Sequence, residues 1–268
     1  MSQIHKTAVI EESAQLADDV VVGPNCFVDE GTSIGSGTIL EANVVIGKNV
    51  TMGCGNRCFP GSTIGTAPQI LGLGPDSEFG TLSIGDNNVI REQATIHPSM
   101  YPGQKTVIGN QNMLMIGVHI GHDSVLEDNI VMSNYVQISG HCKIGCGVWL
   151  SGMVLLHQFV TIGKWAYAAG MAGINHDVPP FMIVSGHYPP RIRGINKRGL
   201  SRAGLDGQQQ QSLFKAYKKL YRGDLPLLKA AEAMNTQGGQ DENVRAVLEV
   251  ILNSSKHRFG RYLETFRD

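Results

Sequence analysis

Residues 21–47 read VVGPNCFVDEGTSIGSGTILEANVVIG, and within them Val22, Val28, Ile34, Leu40 and Ile46 recur at every sixth position. The spacing runs back to Ile4, Ile10 and Leu16, and forward through Met52, Cys58 and Ile64. It returns at Ile84, Ile90 and Ile96, and continues from Ile108 through Leu114, Ile120, Leu126, Met132, Ile138, Ile144, Leu150, Leu156, Ile162 and Ala168 to Ile174. Glycine often follows the apolar residue, as in Ile34-Gly35, Ile120-Gly121 and Ile162-Gly163. Neither an amphipathic helix nor a half-buried strand produces a period of six. A hexapeptide repeat does, and it predicts a left-handed parallel β-helix of roughly 18 residues per turn, with the apolar column pointing inward.

The period fails twice. Residues 66–82, TAPQILGLGPDSEFGTL, carry Pro68 and Pro75, and residues 98–106, PSMYPGQKT, carry Pro98 and Pro102. Both read as loops thrown out of the coil, where a rigid scaffold commonly displays functional groups. Beyond Ile174 the repeat decays, and residues 185–200, rich in Gly, Pro and Arg, read as a connector. An amphipathic pattern follows from Ser201, a candidate N-cap, with Leu213, Phe214, Tyr217 and Leu220 on one face. Further helical segments are expected at Leu225–Met234, Glu242–Leu252 and near Phe259–Phe266. The expected division is a β-helix over 1–187 and a connector with a helical domain over 188–268.

The 268 residues suffice for a substantial core, and a net charge of −1 gives no global bias toward nucleic acid or an anionic membrane. No apolar run approaches the ~20 residues of a bilayer span, and the opening MSQIHKTAVIEESAQ lacks a signal-peptide pattern, so a cytoplasmic protein is expected. Five cysteines, Cys26, Cys54, Cys58, Cys142 and Cys146, do not form a disulfide framework or the usual zinc spacing. They read as small packing residues.

Five histidines, His97, His119, His122, His141 and His157, lie on the coil outside its inward register. With 18 residues per turn, His122, His141 and His157 are expected to form an approximate column facing outward or toward a partner. Asp123 follows His122, and a carboxylate that fixes an imidazole tautomer makes that imidazole a general base. No serine elbow or activated cysteine accompanies it, so direct attack by a deprotonated substrate hydroxyl or amine is expected. The close pair His119-x2-His122 does not match the four-residue separation used by zinc-binding hexapeptide hydratases, and no metal is expected.

The stretches IREQATIHPS (90–99), MLMIGVHIGHD (113–123), Ser139-Gly140-His141, VLLHQF (154–159), DVPPFMI (177–183) and GINKRGLSR (194–202) closely resemble the acyl-carrier-protein–UDP-N-acetylglucosamine O-acyltransferases of lipid A synthesis. The resemblance spans essentially the whole chain. It implies that His122 is the base for the sugar 3-hydroxyl, that Asp123 orients it, and that the Gly140 N–H receives the oxyanion. By the same resemblance His119, His141, His157 and Gln158 contact substrate, Asn196 and Arg202 lie near the nucleotide-sugar, and Gly170 bounds the acyl groove. The family are homotrimers whose donor rides on the phosphopantetheine of acyl carrier protein, so no separate cofactor is implied.

Three departures bear on the acceptor. Relatives carry an aspartate and a lysine in the first loop where this chain reads Gln69-Ile70-Leu71-Gly72-Leu73, a carboxylate where it has Arg198, and an arginine where it has Ala203. A different acceptor, such as a 3-amino sugar nucleotide, is the alternative this raises, and a non-catalytic hexapeptide binding protein is the other. Arg191, Arg193, Lys197, Arg198, Arg202, Lys215, Lys218, Lys219 and Arg222 concentrate positive charge that suits an acidic carrier protein. No reader motif for nucleic acid accompanies them.

Overall fold

The computed structural model describes residues 3–74 and 77–267. Two-residue strands, such as Val21–Val22, Phe27–Val28 and Ser33–Ile34, alternate with tight corners. They stack into three sheets which, among the described residues, contain eleven, nine and eight strands, all parallel but for the last strand of the first. Each rung pairs with the one 18 residues on, as in Val21↔Ile39, Phe27↔Val45 and Ser33↔Thr51. The fold is the left-handed parallel β-helix required by the six-residue period.

The inward column is buried almost throughout: Val28, Leu40, Ile46, Ile64, Ile90, Leu114, Ile120, Ile138, Leu150 and Ile174 are fully enclosed. The first turn is the exception, with Ile4 48% exposed and Ile10 and Leu16 only partly buried, because no coil lies beneath it. A second inward column escapes the six-residue reading, formed by smaller residues two places earlier, such as Val20, Cys26, Thr32, Thr38, Val44 and Asn56. The coil supplies partners for most of its polar atoms, though the Asn112 Nδ2 is buried without one among the described residues. The Asn56 Oδ1 accepts from the Asn88 N–H at 2.9 Å, and the Asn88 Oδ1 accepts from the Asn112 N–H at 2.9 Å.

Both interruptions are excursions that leave the coil and return in register. Thr63 pairs with Thr95, 32 residues on, and Thr95 pairs with His119, 24 on, where an uninterrupted turn takes 18. Pro75 lies outside the described residues. The coil is closed by Met182–Ser185 and an antiparallel strand, Arg191–Ile195, so the expected connector contains the final strand of the eleven-stranded sheet.

Four helices follow: α1 Lys197–Arg202, α2 Gly207–Tyr221, α3 Leu227–Gln237 and α4 Glu242–Ser254. Ser201 lies inside α1 and caps nothing. Asn196 caps α1 and Asp206 caps α2, the latter through a capping box with Gln209, whose side chain returns a bond to the cap backbone. Phe259–Phe266 is not an amphipathic α-helix; only Tyr262–Phe266 is helical, as a 3₁₀ turn. Leu213, Leu220, Ala230, Val247 and Leu248 bury the apolar stripes against one another and the end of the coil.

Candidate active site

A parallel β-helix repeats its corners, so residues 18 apart fall in one line. Gly140 therefore lies over His122, and His141 and Phe159 lie in line with Asp123. All three of these corner residues take left-handed backbone angles, with φ of 59°, 61° and 65° at Asp123, His141 and Phe159. The expected histidine column is corrected accordingly. His141 sits one place round the corner from His122, and their rings meet edge-on at 5.0 Å. His157 is exposed, and among the described residues its ring bonds only the carbonyl of Gln158, its neighbour. One residue of offset turns a side chain to another face, and separations of 19 and 16 are therefore not a column.

His122 is 8% exposed and its Nδ1 lies 2.8 Å from the Asp123 Oδ2. A carboxylate can only accept there, so Nδ1 carries the proton and Nε2 keeps its lone pair. The second excursion supplies the rest of the carboxylate's partners. The Ser99 hydroxyl donates to Oδ1, the Met100 N–H donates to Oδ2 at 3.2 Å, and the Thr106 hydroxyl receives the Asp123 N–H at 2.8 Å. Burial pushes the Asp123 carboxyl up, but bonds from His122, Ser99 and Met100 outweigh it and hold the group below its ordinary value. Residues 98–106, read from the sequence as a loop displaying functional groups, cradle Asp123.

The Gly140 N–H makes no hydrogen bond among the described residues, and the backbone at this position passes directly over the His122 ring. A Cβ built on Gly140 would stand 2.6–2.7 Å from His122 Cε1 and Nε2, so a side chain there would displace the ring. A cleft of about 160 Å³ opens beside them, lined by Gln69, His97, His119, His122, Gly140 and Gln158. His119 Nδ1 lies 2.9 Å from the Thr95 hydroxyl, and burial, with His97 and His122 nearby, pushes its pKa down to about 4. His97 bonds the carbonyls of Thr66 and Ala67 at 3.1 and 3.0 Å through Nδ1, tying the first excursion to the cleft. Its Nε2 is buried without a partner among the described residues.

Gln69, Thr95, Ser99 and Phe159 join the histidines here without a sequence motif of their own to mark them. Their only signal was nearness to the excursions and to the HQF stretch. Conversely, Asn196, Arg202 and Gly170 do not join this cleft. Asn196 and Arg202 line a separate one of about 310 Å³ with Arg198, Trp149, Trp165 and Tyr167, on the outer face of the eleven-stranded sheet. There the Arg202 guanidinium lies 5.0 Å from the centroid of the Trp149 ring. Gly170 is an exposed corner above Gly152 with room for a larger side chain.

Imidazole and carboxylate atoms of His122, Asp123 and His141 approach within 4.8 Å of one another. Asp123 already accepts from three donors, the arrangement of an oriented base rather than an open ligand set. Cys58 and Cys142 are enclosed in the lumen, where burial pushes both thiols up to about 12, so neither supplies a nucleophile.

A tautomer-locked imidazole beneath a free backbone amide, at a corner of a left-handed β-helix, fits the class of acyltransferases. Comparison with known proteins narrows the class. Residues 177–259 match the model of the second domain of UDP-N-acetylglucosamine O-acyltransferases. The chain is 41% identical over 194 residues to the acyl-[acyl-carrier-protein]–UDP-N-acetylglucosamine O-acyltransferase of Gloeothece citriformis, covering 72% of this chain and 69% of that one. It is 37% identical to the Saccharophagus degradans enzyme of the same name, over 97% of this chain and 100% of the other. The solved UDP-N-acetylglucosamine acyltransferase of Francisella novicida superposes with a TM-score of 0.89 at 36% identity, covering 96% of this chain and 93% of that one. The chain belongs to the acyl-[acyl-carrier-protein]–UDP-N-acetylglucosamine O-acyltransferase family.

Proposed function

We propose that the protein moves a 3-hydroxyacyl chain from the phosphopantetheine thiol of acyl carrier protein to the 3-hydroxyl of UDP-N-acetylglucosamine, the first step of lipid A synthesis. The observation that carries this reading is the buried His122–Asp123 pair beneath the unbonded Gly140 N–H. His122 Nε2 takes the proton of the attacking hydroxyl while Asp123 holds Nδ1–H. The hydroxyl oxygen bonds to the thioester carbon, and the carbonyl oxygen becomes an oxyanion facing the Gly140 N–H. On collapse the carbon–sulfur bond breaks, and the imidazolium returns its proton to the departing thiolate.

Family membership supports an acyl-carrier donor, and the basic face supports its docking. Arg191, Arg193, Lys197, Lys215, Lys218, Lys219 and Arg222 are all exposed near α1 and α2. The donor arrives already activated as a thioester, so the reading needs no further cofactor. Separation of the two clefts supports a homotrimer. His119, His122, His141 and Gln158 occupy one edge of the coil while Asn196, Arg202 and Gly170 occupy another, and a neighbouring copy unites them. His157, exposed on the same strand edge, faces the space such a neighbour would enclose. No helix among the described residues is long and apolar enough to cross a membrane.

A second reading keeps the chemistry and changes the acceptor to a 3-amino sugar nucleotide. It is raised by Gln69, which lines the histidine cleft, and by Arg198 in the other cleft. Competition between UDP-N-acetylglucosamine and its 3-amino analogue, with one acyl carrier donor, decides between them. A kcat/KM ratio above about 10 in favour of the hydroxyl substrate supports the first reading, and the reverse ratio supports the second.

A further inference from the structure

Residues 257–267 are latched onto the last turns of the coil by buried polar contacts. The Asp177 carboxylate accepts from the Thr161 N–H at 2.7 Å and from the Tyr262 N–H at 2.9 Å, and the Asp177 N–H donates to the Gly260 carbonyl at 2.7 Å. Arg261, 5% exposed, donates to the Asn175 carbonyl at 2.9 Å and to the Glu264 carboxylate at 2.7 Å. Gly260 turns with φ of +67°, and a Cβ there would stand 3.0 Å from the side chain of His176. Glu264, so held, is also 3.8 Å from the Arg267 guanidinium.

That guanidinium lies 5.7 Å from the centroid of the Phe159 ring. Phe159 is 7% exposed and stacks on His141 with ring centroids 4.5 Å apart and planes 4° apart. His141 in turn meets His122 edge-on, and its Nε2 is 3.9 Å from the Asp123 Oδ2. A phenylalanine at a left-handed corner is unfavourable on backbone grounds alone, since a bulky residue rarely takes positive φ. Tyr135, Trp165 and Phe181 take the same angle at other corners of the coil, so what is particular to Phe159 is its stack on His141.

We infer that residues 257–267 form a strap that holds the His141 ring in place through Phe159, making Phe159 and Arg267 positioning residues for the acyl-transfer site. The inference rests on the reading of His122 and Asp123 as the base pair. A charged His141 would compete with His122 for the Asp123 carboxylate, so the site works best with His141 neutral and fixed. The groups facing His141 are Asp123 and His122 on the preceding turn, Tyr101 at 6.0 Å in the second excursion, and Arg267 on the strap. Burial pushes the His141 imidazole down, Asp123 opposes it, and His122 and Arg267 add to it.

The test uses the whole protein with Phe159→Leu, Phe159→Tyr and Arg267→Ala, following the His141 imidazole by NMR together with kcat and KM against pH. Phe159→Leu uncovers the ring, so the His141 midpoint rises by about half a unit to one unit, and the acid limb of kcat moves up with it. Phe159→Tyr keeps the stack and retains both profiles. Arg267→Ala removes a like charge and raises the midpoint by a smaller step, with a rate loss of about 2- to 5-fold at acid pH. A His141 midpoint and acid limb unchanged in Phe159→Leu overturn the inference. Should that variant not fold, Arg267→Ala decides on its exposed side chain, and an unmoved midpoint there overturns it equally. Failure of the base assignment is separate: it appears as activity surviving in His122→Ala, whatever the His141 midpoints of the Phe159 and Arg267 variants.

Discussion

Replacing Gly140 with alanine tests the geometry of the site at its tightest point. The added Cβ would stand 2.7 Å from His122 Nε2 and 2.6 Å from Cε1, and it belongs to backbone that cannot retreat. Non-bonded atoms of this kind prefer about 3.5 Å, so the imidazole must withdraw by about 0.8 Å. Its Nδ1 is fixed at 2.8 Å to Asp123 and its edge is set against His141, so the withdrawal either breaks the carboxylate bond or turns the ring. Misplacement on this scale costs roughly 100-fold in rate. Crowding also costs about 1–3 kcal/mol of stability, which a coil of this length withstands. The backbone N–H remains, so the loss reports on the base and not on the oxyanion donor. Initial rates of acyl transfer, with a thermal melt on the same sample, provide the assay. A folded Gly140→Ala within about 3-fold of the wild-type rate would refute the claim that the ring must sit where it does.

Three further outcomes follow from the same structure. Ser99→Ala removes a hydroxyl donor from the ionised Asp123, so activity falls about 10-fold and the Asp123 carboxyl rises toward its ordinary value; an unchanged rate would show that the second excursion does not support the base. His119, held near pKa 4, stays neutral through the physiological range; because its folded value is depressed, its contribution to stability is present at neutral pH and fades as pH falls from about 6.5 through 4, which histidine NMR and acid melts check together. Burial raises Asp177 to about 6, so its contribution is full below about 3.8 and lost as pH rises through 6, a swing of at most about 3 kcal/mol; Asp177→Asn removes that slope from a pH series of urea melts, and a slope that persists contradicts the assignment.

The coil was legible because its signal is long and redundant. A period of six over so many turns tolerates weak members such as Cys58 and Ala168, both of which are fully buried. The second inward column was not legible, since Thr38 and Asn56 look like surface residues until the coil supplies partners for their polar atoms. VHIGHD located His122 and Asp123, because adjacency needs no fold to make it meaningful. Ring-to-ring relations did need one. The period of 18 puts Gly140 and not His141 over His122, but how the His141 ring then turns against the His122 ring is set by side-chain packing that counting does not reach. The role of residues 98–106 was hidden for a related reason: a proline-rich excursion does not announce that Ser99 and the Met100 N–H turn back to a carboxylate 23 or 24 residues away. Likewise, Ser201 had the chemistry of a cap, but Asn196 and Asp206 occupied the positions where backbone N–H groups were free.

The most direct measurement is the rate of 3-hydroxyacyl transfer from acyl carrier protein to UDP-N-acetylglucosamine by the wild-type protein and by His122→Ala. The account predicts product with the wild type and a loss of 100-fold or more in a variant that melts like the wild type, since general base catalysis contributes at least about that factor. A folded His122→Ala that keeps more than about a tenth of the wild-type rate would contradict it.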